Sequence, residues 1–428
     1  SDVQTSHADL GEAVDMAQQG QDVVETMSSI SDELQAPGVT PGGLTAVEVA
    51  VEGLAASIGS RKRVFKPGNA TLPIEQRTKI AIESISNTMK EIWHRLATFM
   101  KMILEKISIF MKAVFNFDQI VKVRAKLIKD RAEKLIAKIG KKTVDDLPEH
   151  QRYYEDAAFL HFFAGGRGRL NIDILRGSSD EKVFDDFTKR VEKAWAAIDH
   201  IAESGLSDVK EIEQYYKDFE GLSSKKGDEL TQKLIQLGED FFAKIKKEAT
   251  TLSEMIDEQR TEEARTTKMW SLPFGRKAIV LHRAEVPANN PTIGEMRKAL
   301  SSVYLTVETA STLLDNETNK LLLPKLEAIP KICEAVIEMV DKNAQGLKVL
   351  SALSGAAHQA DAMARKQIND TSDWGYELKQ YASAIVHTRV RMATIKIRET
   401  YELGCRMHRI LISLSAHTLK AYSALDKA

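Results

Sequence analysis

The sequence predicts an all-α protein in which long antiparallel helices pack as bundles, with at most one or two very short strands. Apolar residues recur at spacings of three and four along nearly the whole chain, which places them on one face of each helix. Glycine (23 residues) and proline (10 residues) are few in a chain of 428 residues, so we expect few long loops. Aromatic residues make up only 6%, a low share for a β-rich protein or a large α/β enzyme.

The predicted helices follow one another with short breaks. They cover residues 8–36, 44–58, 73–117, 118–139, 148–164, 180–204, 207–220, 224–268, 292–321, 324–343, 345–368 and 371–425. The pieces that resemble strands are Leu170–Leu175 and Ala278–His282, the second within an irregular stretch from Trp270 to Pro291.

The breaks divide the chain into five predicted segments. These are an acidic helical leader (1–59), a basic amphipathic helical module (60–176), a long-helix region (177–270), an irregular connector (271–291) and a C-terminal helical bundle (292–428). Heptad repeats are poorly kept, so packed helices are favoured over an extended two-stranded coiled coil.

Charge is arranged in blocks along the chain. The net charge is −1, but residues 1–60 hold ten acidic and no basic residues, and residues 61–142 hold 20 basic and seven acidic ones. Blocks of this kind mark interaction segments. The leader is expected either to lie on the basic segment or to bind a separate partner. If it lies on the basic segment, apolar stripes must supply most of the docking free energy, because exposed ion pairs contribute only about 0–1 kcal/mol each.

The segment 92–117 is the most apolar in the chain. Five charged residues fall within it, and each would cost several kcal/mol at the centre of a bilayer. They are Arg95, Lys101, Glu105, Lys106 and Lys112. The sequence therefore predicts a core helix and no stable membrane span. A membrane-active, pore-forming-like helical protein that uses this segment at an anionic surface is the alternative.

No motif with a catalytic or metal-binding pattern is found. The loop Gly165–Arg169 lacks the Lys-Ser/Thr pair of a phosphate-binding loop and suits a helix end. Cys333 and Cys405 exclude a disulfide framework, and the pair Cys405 and His408 has no further ligands in sequence. We therefore predict that the chain is not an enzyme and holds neither cofactor nor metal.

The basic block lacks the motifs of sequence-specific DNA-binding proteins, which leaves nonspecific contact with double-stranded DNA open. Candidate contacts to phosphate, DNA or an acidic partner are Arg61, Lys62, Arg63, Lys122, Arg124 and Lys126. A second basic run predicts a solvated helix face; it comprises Arg389, Arg391, Lys396, Arg398, Arg406 and Arg409.

The order of features in residues 10–142 supports a family resemblance. An acidic leader precedes a small helix that starts at Gly42-Gly43 and runs to Leu54; an amphipathic helix (91–115) and a basic helix (122–127) follow. This order resembles the internal head and other virion structural proteins of large tailed bacteriophages, including giant myophages. The resemblance implies a non-enzymatic internal head protein that packs its helices against other virion chains, with self-association as a further partner expectation. It implies a location in the capsid interior, after a stage in the host cytoplasm during assembly.

The same resemblance implies proteolytic processing. Head proteins of such phages are trimmed after Glu when a small or apolar residue stands two positions earlier. Candidate processing sites of this form are Glu48, Glu52 and Glu83, which end the triplets Ala-Val-Glu, Ala-Val-Glu and Ala-Ile-Glu.

Overall fold

The computed structural model confirms the all-α class. It describes residues 2–35, 39–57, 64–65, 71–154, 181–222, 225–255, 267–271, 277–282, 291–309, 321–346, 353–360, 362 and 375–426. The helices are α1 (Asp2–Gln35), α2 (Pro41–Ser57), α3 (Ile74–Ile139), α4 (Glu181–Gly221), α5 (Gly227–Met255), α6 (Ile293–Ser301), α7 (Ala328–Gly346) and α8 (Tyr376–Ser423), and residues 353–360 are also helical. The predicted loop at Gly165–Arg169 and the predicted strand Leu170–Leu175 lie outside the described residues.

Two pairs of predicted helices are each one continuous helix. Helix α3 runs for 66 residues, about 100 Å, through the break expected at residues 117–118. Helix α4 runs through Gly205, which had suggested a break between residues 204 and 207. A Cβ atom at Gly205 would lie 3.0 Å from the Ile397 and Lys396 side chains of α8. Glycine is therefore explained by close helix packing at this position and does not mark a helix end.

The strands are more numerous than the sequence predicted. They are β1 (Tyr153–Tyr154), β2 (Thr267–Ser271), β3 (Lys277–His282), β4 (Tyr304–Thr309) and β5 (Leu321–Leu322). Strands β2, β3 and β4 form an antiparallel sheet in that order, and β1 pairs with β5. Strand β3 confirms the strand expected at Ala278–His282, so the stretch predicted to be irregular contains part of a sheet.

Three predicted helices are wrong in part. The helix predicted at 224–268 is described as far as Met255, and residues 267–268 at its predicted end belong to β2. The helix predicted at 292–321 ends at Ser301, and β4 follows because its β-branched and aromatic residues suit a pleated strand. Leu305 and Val307 pair with Leu281 and Ile279 of β3. The helix predicted at 148–164 is replaced over its first residues by 3₁₀ turns and β1; the rest of it lies outside the described residues.

Helix α8 lies at the centre of the fold and packs against α1, α3, α4, α6 and α7. These helices share the larger apolar core, to which α5 also contributes. A smaller core forms where α2 and the second half of α1 meet the first third of α3. Helix α3 therefore runs through both cores. The boundaries of the five sequence segments stay a prediction.

Candidate functional site on helices α3 and α8

The predicted contact residues that the structure describes lie on one helix. Arg124 and Lys126 of α3 are exposed, and Lys122 is half-buried and forms an ion pair with Asp341 of α7. The other three candidates, at residues 61–63, lie outside the described residues. Two of the three described candidates thus remain open to an external partner.

Helix α3 also exposes apolar side chains that sequence reasoning missed. Ile109, Ile120, Val123 and Leu127 are each between 53% and 62% exposed. Their spacing places them along one line of the helix for about 27 Å, on the side opposite the core residues. The signal was present as an i, i+3, i+7 pattern at residues 120, 123 and 127, but it was hidden beside the stronger core stripe.

Basic residues flank this apolar line. Lys112, Arg124, Arg131 and Lys134 are exposed, and none of them forms an ion pair with another described residue. We call the surface formed by Ile109, Lys112, Ile120, Val123, Arg124, Leu127, Arg131 and Lys134 the outer face of α3. Two acidic residues, Glu105 and Asp130, are exposed on the same side of α3, but the exposed charged residues next to Ile120 and Val123 are basic. Exposed apolar residues at regular spacing with a polar border are typical of a protein interaction surface.

The acidic leader packs on the same helix, which confirms that it lies on the basic segment. Helix α1 runs along α3 and buries Leu10, Val14 and Met27 in the two cores. The carboxylate of Asp9 lies 4.0 Å from the ammonium group of Lys106. An acidic amphipathic helix on a basic helix is therefore already one contact of this fold.

Helix α8 carries buried charges within the basic run that was predicted to be a solvated face, whereas Arg406 and Arg409 of that run are exposed as predicted. Arg389 and Lys396 are each 1% exposed. Arg389 Nη1 donates a hydrogen bond of 2.7 Å to Asp208 of α4, and Arg389 Nη2 lies 2.8 Å from a carboxylate oxygen of Glu211. Lys396 donates to Asp208 at 2.9 Å and forms an ion pair with Glu248 of α5. These five residues form a buried ion cluster that joins α4, α5 and α8.

The electrostatics of the ion cluster follow from burial and pairing. Burial raises the pKa of Asp208 to about 6, against the opposing effect of Lys396 and Arg389. Burial also opposes ionisation of Glu248, but Lys396 and Arg389 outweigh it and lower the pKa of that carboxyl. Removing one member of such a cluster leaves an uncompensated buried charge. The cluster is therefore a structural link between three helices.

A second buried polar group joins α3, α7 and α8. His408 Nδ1 lies 3.0 Å from one carboxylate oxygen of Asp118, and Asn343 donates a hydrogen bond of 3.0 Å to the other. Trp195 of α4 lies against the His408 ring at 4.8 Å between ring centres. His408 and Asp118 are almost completely buried. This acid–base pair is sealed from solvent, so its geometry suits helix positioning.

The metal pair considered from sequence is not assembled. His408 pairs with Asp118, and burial raises the pKa of the Cys405 thiol well above its usual range, which keeps it protonated. Within the described ranges, no group of three or more His, Cys, Asp or Glu residues is placed to hold a metal ion.

The candidate processing residues all lie in helices. Glu48 of α2 forms an ion pair of 3.0 Å with Arg77, and Glu52 accepts a hydrogen bond of 2.8 Å from the backbone N–H of Phe65. Glu83 is exposed on α3. Cleavage at these sites would require local opening of a helix; processing stays a prediction.

The apolar stripe of segment 92–117 faces the protein core. Its buried residues include Ile92, Ile103, Ile107 and Phe110. Among the described residues, no helix combines the length and apolar character needed to cross a membrane. The core stripe of segment 92–117 on which the membrane-active alternative depends is therefore buried in this conformation.

The chain was compared with known protein families, curated proteins and solved structures. The model of the phiKZ-like phage internal head proteins matches residues 2–395, which is most of the chain. No curated protein and no solved structure matches it. The family match extends well beyond the part of the chain that carried the sequence resemblance. The chain belongs to the phiKZ-like phage internal head proteins, structural components that lie inside the virion capsid.

Proposed function

We propose that this internal head protein is non-enzymatic and acts by packing its helices against other protein chains inside the capsid. The observation that carries the proposal is the outer face of α3, where four apolar side chains stay more than half exposed. Helix packing in water is driven by burial of such side chains. Folding of this chain leaves them uncovered, so a partner chain gains free energy by covering them.

The buried polar contacts between helices support a structural role. The buried ion cluster links α8 to α4 and α5, and the Asp118–His408–Asn343 group links it to α3 and α7. The buried charges of Arg389, Lys396, Asp208 and Asp118 are held by partners on neighbouring helices. A scaffold fixed in this way presents α3 in one orientation. Nonspecific DNA contact, self-association and a stage in the host cytoplasm stay predictions from the sequence.

Cross-linking of purified virions tests this proposal. A lysine-reactive reagent applied to intact particles should link Lys112, Lys126 or Lys134 of α3 to other virion proteins, as identified by mass spectrometry. Lys396 is buried and paired, so it serves as an internal control that should not react. Links that form only within this chain would contradict packing against other virion proteins.

A further inference from the structure

The outer face of α3 combines an exposed apolar line with exposed basic residues. Ile120, Val123 and Leu127 recur at i, i+3 and i+7, the spacing with which an amphipathic helix contacts a partner helix. Arg124 lies within this stretch, and Arg131 and Lys134 continue the same line toward the end of α3. The occupant must therefore offer apolar side chains along a narrow ridge and acidic side chains on both sides of it.

We propose that the outer face of α3 is the docking surface for an acidic amphipathic helix of another virion protein. The inference rests on the proposed function and names its partner by chemistry. Lys112 and Lys126 on one side of the apolar line, and Arg124 and Arg131 on the other, outnumber the exposed Asp130. This excess of basic residues gives charge complementarity with an acidic helix and fixes its register. The chain contains a precedent, because α1 holds eight acidic and no basic residues and packs its apolar stripe on another side of α3.

Two other occupants fit the surface less well. Duplex DNA would neutralise the basic residues, but its phosphates cannot cover Ile120, Val123 and Leu127 without leaving them in a polar environment. A second copy that docked through the same face would bring Arg124 and Arg131 of both copies together, and like charges across an interface are unfavourable.

Peptide binding to the full-length chain tests the inference. The probe is a fluorescent amphipathic helix of about 20 residues with Leu along one face and Glu elsewhere, a length at which a helix is stable enough to study. Its twin carries Lys in place of every Glu. The acidic peptide should bind, the basic twin should not, and added salt should weaken binding.

Variants locate the contact. Replacing both Ile120→Ser and Val123→Ser should weaken binding of the acidic peptide about tenfold, because apolar anchors at the centre of an interface carry most of its affinity. Arg124→Glu should weaken it as well. The matched control is Val49→Ser on α2, since Val49 is 69% exposed but lies on a different helix. The affinity of this variant for the acidic peptide should equal that of the unchanged chain.

Several outcomes would overturn the inference. One is equal binding of the acidic and basic peptides, and another is unchanged binding by the Ser variants. A third is that a short DNA duplex binds more tightly than the acidic peptide, competes with it, and keeps the same affinity for the Ser variants. A fourth is a dimer in sedimentation experiments that Val123→Ser disrupts. If any of these outcomes occurs but cross-linking of virions still joins lysines of this chain to other virion proteins, the proposed function stands and only the assignment of an acidic helix as the partner fails.

Discussion

Helices α3 and α8 distribute the same kinds of residues in opposite ways. Helix α8 buries Arg389 and Lys396 at 1% exposure each, and both contact carboxylates of neighbouring helices. Helix α3 leaves Ile120 and Val123 more than half exposed. A buried cation requires partners from its own chain, because an unpaired charge in a protein interior is very costly. Exposed apolar side chains need no partner from their own chain.

This difference separates residues that hold the fold from residues that are free to act outside it. Arg389 and Lys396 of α8 are paired with carboxylates of α4 and α5, so changes at these two residues should alter stability. The apolar and basic residues of the outer face of α3 make few contacts within the chain, so changes there should alter partner binding with little effect on stability. Each of the following experiments tests one side of this division.

The largest expected effect is loss of stability from Arg389→Met. Methionine retains an unbranched aliphatic side chain but lacks the guanidinium that Asp208 and Glu211 share. The free energy of unfolding should therefore fall by about 3–5 kcal/mol. The measurement is chemical denaturation followed by circular dichroism. The matched control is Arg124→Met on the exposed face of α3, which should change stability by no more than about 0.5 kcal/mol.

A double variant shows whether the effect comes from the lost ion pair. Asp208→Asn combined with Arg389→Met removes one charge of each sign, and we expect it to be more stable than Arg389→Met alone. If Arg389→Met and Arg124→Met cost the same, the contrast between the buried cations of α8 and the exposed ones of α3 does not hold.

The sequence predicted the positions of the helices better than their surroundings. The apolar spacing placed the ends of α1, α2 and α8 within about six residues of their observed limits. It could not show that α8 is covered on nearly all sides over residues 380–405, because a helical pattern identifies an apolar face but not how many neighbours surround the helix. The pairing of Arg389 with Asp208 joins residues far apart in sequence, and no local pattern encodes it.

The sequence predicted only part of the candidate site, because it cannot show which sides of α3 the rest of the chain covers. Charge counts identified Arg124 and Lys126, which are exposed. The apolar line at Ile120 and Val123 was missed, since an exposed and a buried apolar stripe on one helix look alike in sequence. Strand β4 was missed because the helical pattern that begins at residue 293 was extended through the β-branched residues that follow Ser301.

The second-largest expected effect is a pH dependence of stability that arises from His387, a buried residue of α8. Burial and the nearby Arg391 lower the pKa of His387 to about 3, whereas a histidine in an unfolded chain has a pKa of about 6.5. Between these values the unfolded chain binds one more proton than the folded chain. The contribution of His387 to the free energy of unfolding should therefore fall by about 1.4 kcal/mol for each pH unit between 6.5 and 3, while the raised pKa of Asp208 acts in the opposite direction below about pH 6.

His387→Asn isolates this contribution. His387 forms a hydrogen bond with the backbone of Ala17 in α1, and an asparagine amide can replace that donor without titrating. Between pH 6.5 and 5, stability of the variant should decline less steeply than that of the unchanged chain, as measured by denaturation at each pH. Parallel pH profiles would show that His387 is not the group responsible.

The smallest effect compares glycines inside two helices of different environment, one packed against α8 and one at the surface. A Cβ atom at Gly205 of α4 would lie 3.3 Å from the backbone nitrogen of Ile397, whereas at Gly53 of α2 it would meet nothing within 4 Å. Alanine is favoured over glycine in a helix by about 1 kcal/mol, but overpacking a close contact costs about 1–3 kcal/mol. Gly53→Ala should therefore stabilise the protein by up to about 1 kcal/mol, and Gly205→Ala should destabilise it by about the same amount. Thermal unfolding of both variants measures the two changes side by side. A gain of stability in both would mean that α4 and α8 can separate slightly at no cost, and the central packing of α8 would then be looser than its buried ion pairs indicate.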